Sequence, residues 1–194
     1  MLGLKLPTDP HWANIVERNI EEILTDHAWC EQKAATNAIS LLVHYPHYTD
    51  MVEDMLSLAK EELTHFEMVN QKIKERGLTL GYERKDKYVG ELYKFMRTGF
   101  KKEIVFIDRL LFSAMIEARS CERFKILSEN IKDEDLKVFY RELMISEANH
   151  YTTFLGYARK YGNATENVNK RWEEWLEYEA KVVQNYGKSE TIHG

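Results

Sequence analysis

Two Glu-x-x-His pairs are the residues of this chain best suited to bind metal ions: Glu62 with His65, and Glu147 with His150. Positions i and i+3 of an α-helix lie on the same face, so each pair can direct a carboxylate and an imidazole towards one point. Such a pair is weak evidence alone, because glutamate is abundant in this sequence. The spacing of other glutamates around the pairs makes the pattern specific.

A lone glutamate precedes each pair at nearly the same distance: Glu31 lies 31 residues before Glu62, and Glu117 lies 30 residues before Glu147. This repeat predicts two consecutive helix-turn-helix units with the same arrangement. Four glutamates and two histidines inside a four-helix bundle are the ligand set of the ferritin-like di-iron and di-manganese proteins. We therefore predict that these four glutamates and two histidines bind two metal ions.

Other acidic residues compete for the same roles. Glu122 is an alternative to Glu117, but it lies 25 residues before Glu147 and would break the repeat. A third pair, Glu190 with His193, has no apolar periodicity around it, and we interpret it as accidental. Taken singly, a helical glutamate is usually a solvated surface residue, so the prediction depends on the complete set.

Helical signals run through the whole chain, which has only three prolines and nine glycines. Apolar residues recur at helical spacing, and Gly77, Gly162 and Gly187 are typical helix ends. The predicted helices cover about residues 11–23, 26–44, 49–76, 101–129, 134–161 and 166–186, with Thr25 or Asp26 as the cap of the second. We predict an all-α, ferritin-like four-helix bundle in a single domain, 1–194, with one long crossover (78–100) and extra terminal helices.

Composition excludes several classes of protein. Hydrophobic residues make up 44% and charged residues 30% of the chain, as in ordinary globular proteins. No apolar run is long enough to cross a membrane, and the N-terminus lacks the apolar core of a signal peptide. Cys30 and Cys121 form neither a disulfide framework nor a zinc spacing. We expect a cytoplasmic protein.

A basic segment interrupts a chain whose net charge is −5. Residues 84–102 contain seven basic residues against two acidic ones, with tyrosines and phenylalanines between them. Such a surface can hold a phosphate backbone and stack a base, although a solvated connector is the plainer interpretation. The candidate RNA-binding residues are Arg84, Lys85, Lys87, Lys94, Arg97, Lys101 and Lys102.

Four stretches together resemble the MiaE-type tRNA hydroxylases, and the similarity in order and spacing covers about residues 10–180. They are Asp26-His27-Ala28-Trp29-Cys30-Glu31-Gln32-Lys33-Ala34-Ala35, Glu61-Glu62-Leu63-Thr64-His65-Phe66-Glu67, Glu117-Ala118-Arg119-Ser120-Cys121-Glu122-Arg123-Phe124 and Ser146-Glu147-Ala148-Asn149-His150. The third stretch is the most specific, because ferritin-like proteins in general share only the ligand skeleton. All six expected ligands are present.

The resemblance implies a non-haem di-iron monooxygenase that hydroxylates the isopentenyl group of 2-methylthio-isopentenyl-adenosine, next to the anticodon of tRNA. Such an enzyme uses O2 and two electrons, because no side chain can oxidise an unactivated C–H bond. The chain has neither a dinucleotide fingerprint nor a cysteine cluster, so the electrons must come from a separate reductase or carrier. Another ferritin-like function, such as iron oxidation and storage or peroxide handling, is the alternative.

Overall fold

Seven α-helices and no strand make up the part of the chain that the computed structural model describes, residues 2–186 and 191–193. The helices are α1 (Trp12–Arg18), α2 (Ile20–His44), α3 (Thr49–Glu75), α4 (Lys87–Phe95), α5 (Lys102–Asn130), α6 (Glu134–Gly162) and α7 (Val168–Tyr186). Within these residues, no helix is long and apolar enough to cross a membrane. The predicted helix end at Gly187 and the glutamate of the third pair, Glu190, lie outside the described residues.

The break between the first two helices lies at Asn19, so the prediction of a helix start at Thr25 or Asp26 was wrong. Both residues are buried inside α2. The Thr25 hydroxyl accepts a hydrogen bond from the Gly81 amide (3.2 Å), and the Asp26 carboxylate accepts one from the Ile192 amide (2.7 Å). The residue types that favour helix caps serve long-range contacts here, and the helix continues through them.

Contacts between Cα atoms divide the chain into two compact units. The α2–α3 unit contains residues 18–85 together with 191 and 192. The α5–α6 unit contains residues 2–17, 86–186 and 193. Each unit centres on one pair of packed long helices, and each pair carries one half of the predicted ligand set.

In the α2–α3 unit, alanines and leucines of α2 pack against methionines and branched residues of α3. The fully buried members are Ala28, Ala38, Leu41, Met51, Met55 and Val69. Helix α3 ends at a Schellman motif in which the amides of Gly77 and Leu78 donate to the carbonyls of Lys74 (3.0 Å) and Ile73 (3.1 Å). Gly77 has a φ of +67°, a conformation that glycine adopts without the steric strain of a side chain.

In the α5–α6 unit, α5 is buried over most of its length, and α6 and α7 both pack against it. The side chain of Asp133 caps α6 by accepting from the amides of Asp135 (3.0 Å) and Leu136 (3.1 Å). The connection from α3 to α5 contains the short helix α4, as the partly helical crossover predicted. Asp86 caps α4 by accepting from the Val89 amide (2.9 Å).

Candidate metal centre

The α2–α3 unit brings together Glu31 of α2 with Glu62 and His65 of α3, which we call the first triad. All three side chains are buried. Nδ1 of His65 lies 3.1 Å from Oε2 of Glu62 and 3.8 Å from Oε2 of Glu31. One ligand atom from each residue therefore lies within 4.8 Å of the other two, close enough for a single ion.

His27 adds a second imidazole to this unit. Its Nε2 lies 2.5 Å from Oε1 of Glu31, one helical turn further along α2, and its side chain is fully buried. His27 was not among the predicted metal ligands, although it lies in one of the stretches that carry the family resemblance. The signal was the i, i+4 spacing between His27 and Glu31, which places the two side chains on one face of the helix.

Charges in the first triad counteract the effect of burial on ionisation. Burial alone would raise the pKa of Glu31, but the hydrogen bond and positive charge of His27, followed by His65 and Glu62, hold it well below its usual value. Burial would lower the pKa of His65, but hydrogen bonds and charge from Glu31 and Glu62 raise it to about 10. Without metal, His65 is therefore an imidazolium at neutral pH, and a bound cation must displace its proton.

The α5–α6 unit brings together Glu117 of α5 with Glu147 and His150 of α6, which we call the second triad. These side chains are also buried, and one ligand atom from each lies within 4.8 Å of the other two. Nδ1 of His150 lies 3.9 Å from Oε1 of Glu147, a longer separation than the 3.1 Å of the corresponding pair in the first triad. The repeat in the sequence is therefore a repeat in the structure, and the distance within the Glu-x-x-His pair differs between its two copies.

The donor atoms of both triads fit iron. Each triad offers two carboxylates and one imidazole, and a mixture of oxygen and nitrogen donors suits iron or manganese. A closed structural zinc site would use thiolates or more histidines. Buried carboxylate and histidine clusters of this kind are compatible with a di-iron site.

The competing residues are engaged elsewhere in the α5–α6 unit. Glu122 accepts hydrogen bonds from Thr8 and from the Arg119 guanidinium, at 2.8 to 2.9 Å. His193, the histidine of the third pair, lies 3.0 Å from the Ser120 hydroxyl and 3.1 Å from Asp86. Both therefore have structural partners away from the second triad's three side chains.

Arg97, one of the seven basic candidates for RNA binding, is held inside the α5–α6 unit. Its guanidinium contacts the fully buried carboxylate of Asp108 (2.6 Å) and the carboxylate of Glu166 (2.8 Å). Arg171 binds the same Asp108 (2.8 Å). Two cations on one buried carboxylate make Arg97 part of the scaffold, which argues against a role in binding phosphate.

Among the other six basic candidates, the five lysines are exposed and Arg84 is half-buried. Lys94 pairs with Glu91 at the surface, and Arg84 contacts the carbonyl of Glu22 (3.4 Å). The exposed lysines include Lys101 and Lys102 at the start of α5, which follow Phe100, whose side chain is 58% exposed. The structure thus leaves a smaller basic surface than the sequence predicted.

Comparisons with known proteins give one consistent result. A family model described as "tRNA-(MS[2]IO[6]A)-hydroxylase (MiaE)" matches residues 2–194. A Pseudomonas putida protein named tRNA 2-(methylsulfanyl)-N(6)-isopentenyladenosine(37) hydroxylase is 39% identical over 160 residues, which cover 82% of this chain and 77% of that protein. A Salmonella typhimurium protein of the same name is 28% identical, covering 98% of this chain and 87% of its own length.

One solved structure is similar over nearly the whole chain. It is titled "Protein 43 with aldehyde deformylating oxygenase activity from Synechococcus". It has a TM-score of 0.89 and 31% sequence identity, and the match covers 98% of this chain and 95% of that one. This similarity confirms the predicted all-α, ferritin-like fold class.

Proposed function

Because this chain belongs to the MiaE family of tRNA hydroxylases, we propose that it hydroxylates the isopentenyl group of 2-methylthio-isopentenyl-adenosine in tRNA. The observation that carries the proposal is the family match over residues 2–194 in a chain whose two buried triads supply all six expected ligands. The activity is that of an O2-dependent monooxygenase. A tRNA substrate also favours the cytoplasmic location expected from the sequence.

Two iron ions are the proposed cofactor, with six ligands from the two triads: Glu31, Glu62, His65, Glu117, Glu147 and His150. When bound, the irons supply the oxidising power that the C–H bond requires. The overall reaction places one oxygen atom of O2 on the substrate carbon. It reduces the other oxygen atom to water with two electrons and two protons, and a separate reductase or carrier provides the electrons.

The side chains around the proposed ions keep water out and hold the donor atoms in place. The pKa of Glu31 stays well below its usual value although this side chain is buried, because His27 and His65 lie against it. Burial of this kind strengthens electrostatic interactions and limits competing reactions with water. The protein therefore contributes a charged, preformed set of donors in a dry interior.

The proposed tRNA contacts are the six basic residues outside the Arg97 network: Arg84, Lys85, Lys87, Lys94, Lys101 and Lys102. Lys101 and Lys102 stand at the N-terminus of α5, where two positive charges oppose the positive end of the helix dipole. A phosphate at this position would be attracted by the helix terminus and by both lysines. Phosphate contacts here would orient the tRNA and leave base selection to the catalytic pocket.

Reversing charge tests this surface. We expect Lys101→Glu combined with Lys102→Glu to weaken tRNA binding about tenfold or more and to flatten its dependence on salt, with iron content unchanged. Lys170→Glu, at another exposed lysine of the same unit, is the matched control. Equal tRNA affinity in the double variant and the control would remove this surface from the proposal.

The activity itself is tested by nucleoside mass spectrometry. Isopentenylated tRNA is incubated with iron-loaded protein, a reductant and O2, and the modified adenosine is then isolated. We expect the nucleoside to gain one oxygen atom, and no gain from protein loaded with zinc. An unchanged nucleoside, with two irons bound and reoxidised, would place the substrate outside tRNA.

The Synechococcus structure makes a second activity worth measuring, since its title names aldehyde deformylating oxygenase activity. The same iron-loaded protein is incubated with an aliphatic aldehyde, reductant and O2, and formate is measured. Formate release without hydroxylation of tRNA would favour this second function. The higher identity to the Pseudomonas putida hydroxylase, 39% against 31%, favours the tRNA substrate.

A further inference from the structure

We infer that His27 is a positioning residue that holds one oxygen of Glu31 and thereby leaves the other oxygen to bind metal. The inference rests on the iron centre of the proposed function. His27 belongs neither to the Glu-x-x-His repeat nor to the six proposed ligands. The inference concerns the first triad only. Its consequence is that the two iron positions differ in affinity.

The two oxygens of Glu31 have different neighbours. Oε1 lies 2.5 Å from Nε2 of His27, which can donate to it when that nitrogen carries the proton. Oε2 lies 3.8 Å from Nδ1 of His65, which is itself 3.1 Å from Oε2 of Glu62. The three donor atoms that face one another are thus Oε2 of Glu31, Oε2 of Glu62 and Nδ1 of His65. Oε1 of Glu31 is occupied by His27.

A glutamate side chain has three rotatable bonds before its carboxylate, so an unsupported ligand loses side-chain entropy when it binds a metal. His27 and Glu31 lie one turn apart on the same face of α2, so their side chains can contact each other. The hydrogen bond between them restricts rotation of the Glu31 side chain before a metal binds. His27 is fully buried, and close packing of the protein interior restricts rotation of its ring. Hydrogen-bonding partners of ligating carboxylates commonly orient them in this way.

The second triad has a different residue at the corresponding position. Four residues before Glu117, Ser113 takes the place that His27 has before Glu31. The Ser113 hydroxyl donates to the backbone carbonyl of Arg109 (3.0 Å), as helical serines often do. A hydroxyl is shorter than an imidazole and is committed to its own helix here. We therefore expect the first triad to bind iron more tightly than the second.

The test compares three variants by anaerobic titration with Fe(II) and by the optical spectrum of Co(II)-loaded protein. His27→Leu fills a similar volume without a donor, and His27→Gln places an amide N–H near the position of Nε2. Ser113→Ala is the matched control in the second unit. We expect wild-type protein to bind two ions, and His27→Leu to lose about 10- to 100-fold in affinity for the tighter one.

The glutamine variant distinguishes a role of His27 in positioning Glu31 from a role in packing of the core. His27→Gln should restore the affinity and the Co(II) spectrum of wild-type protein, and Ser113→Ala should leave both close to wild type. If His27→Leu does not fold, His27→Asn serves in its place. Its amide reaches only the Nδ1 position, so we expect it to lose affinity while the glutamine variant retains it.

Two results would overturn the inference, and they are distinguishable. Wild-type affinity and an unchanged Co(II) spectrum in the leucine or asparagine variant would show that His27 is a packed core residue, while two bound irons would leave the proposed function standing. Wild-type protein that binds no iron would overturn the metal centre and this inference together.

Discussion

The two triads have the same residue types at the same spacing, but their surroundings differ. In the first, His65 lies against two carboxylates, and His27 holds Glu31 from the other side. In the second, Nδ1 of His150 lies 3.9 Å from Oε1 of Glu147. A repeated motif can therefore set which atoms face a metal without setting how firmly they are held.

The largest expected effect is the loss of hydroxylation when a proposed ligand is removed. Comparing this loss between the two triads tests whether both are needed for catalysis. We expect His65→Ala and His150→Ala each to lower hydroxylation of tRNA by more than about 100-fold, because loss of a supporting partner alone costs 10- to 100-fold. Glu117→Ala should behave in the same way. Turnover is measured by the nucleoside assay, with circular dichroism as the check on folding. Unchanged turnover in any variant would remove that residue from the ligand set.

A smaller effect separates the triads in the absence of metal. After removal of iron by a chelator, we expect His65→Ala to lower the free energy of unfolding by about 3 kcal/mol, because it leaves Glu31 and Glu62 buried beside each other with one cation fewer. His150→Ala should cost about 1 kcal/mol less, since Nδ1 of His150 lies farther from Glu147 (3.9 Å) than Nδ1 of His65 lies from Glu62 (3.1 Å). Urea unfolding followed by circular dichroism measures both. Equal losses would show that the triads are electrostatically alike.

The stability that His65 supplies also depends on pH. The pKa of His65 is raised to about 10 in the folded, metal-free protein, above its usual value of 6.5. Its contribution to stability is therefore complete below pH 6.5 and is lost as pH rises through about 10, with a total on the order of a few kcal/mol.

Unfolding of the metal-free protein at pH 6, 8 and 10 tests the direction of this change. We expect the wild type to lose stability across the series faster than His65→Ala, which lacks the titrating group. Parallel losses in the two proteins would show that His65 is neutral before iron binds.

The sequence was sufficient to predict the helical class and the residues that meet in each triad. Glu117 was preferred over Glu122 chiefly from spacing, and Glu117 lies beside Glu147 in the structure, while Glu122 binds Thr8 and Arg119. The spacing of residues along a helix determines which of their side chains lie on the same face, so it was enough to predict these contacts. The assignment of these residues as iron ligands remains a prediction until metal binding is measured.

The sequence did not predict which residues distant in the chain bind to one another. Thr25 and Asp26 have the chemistry of caps, and their actual partners are more than fifty residues away along the chain. Arg97 belongs to a run of basic residues, and only the position of the buried Asp108 distinguishes it from Lys101 or Lys102. Local composition predicts exposure and charge, but it does not identify which basic residue forms an ion pair with a buried carboxylate such as Asp108.

The shared carboxylate of Asp108 also constrains how this family can vary. Arg97 and Arg171 both bind it, and these two arginines hold its pKa below the usual value although burial would raise it. Replacing Asp108 alone would remove the one buried carboxylate that both arginines share, and would leave Arg97 with Glu166 and Arg171 with Glu174 as their remaining acidic partners. Across relatives of this chain, we therefore expect positions 97, 108 and 171 to change together, so that an apolar residue at 108 accompanies the loss of at least one arginine.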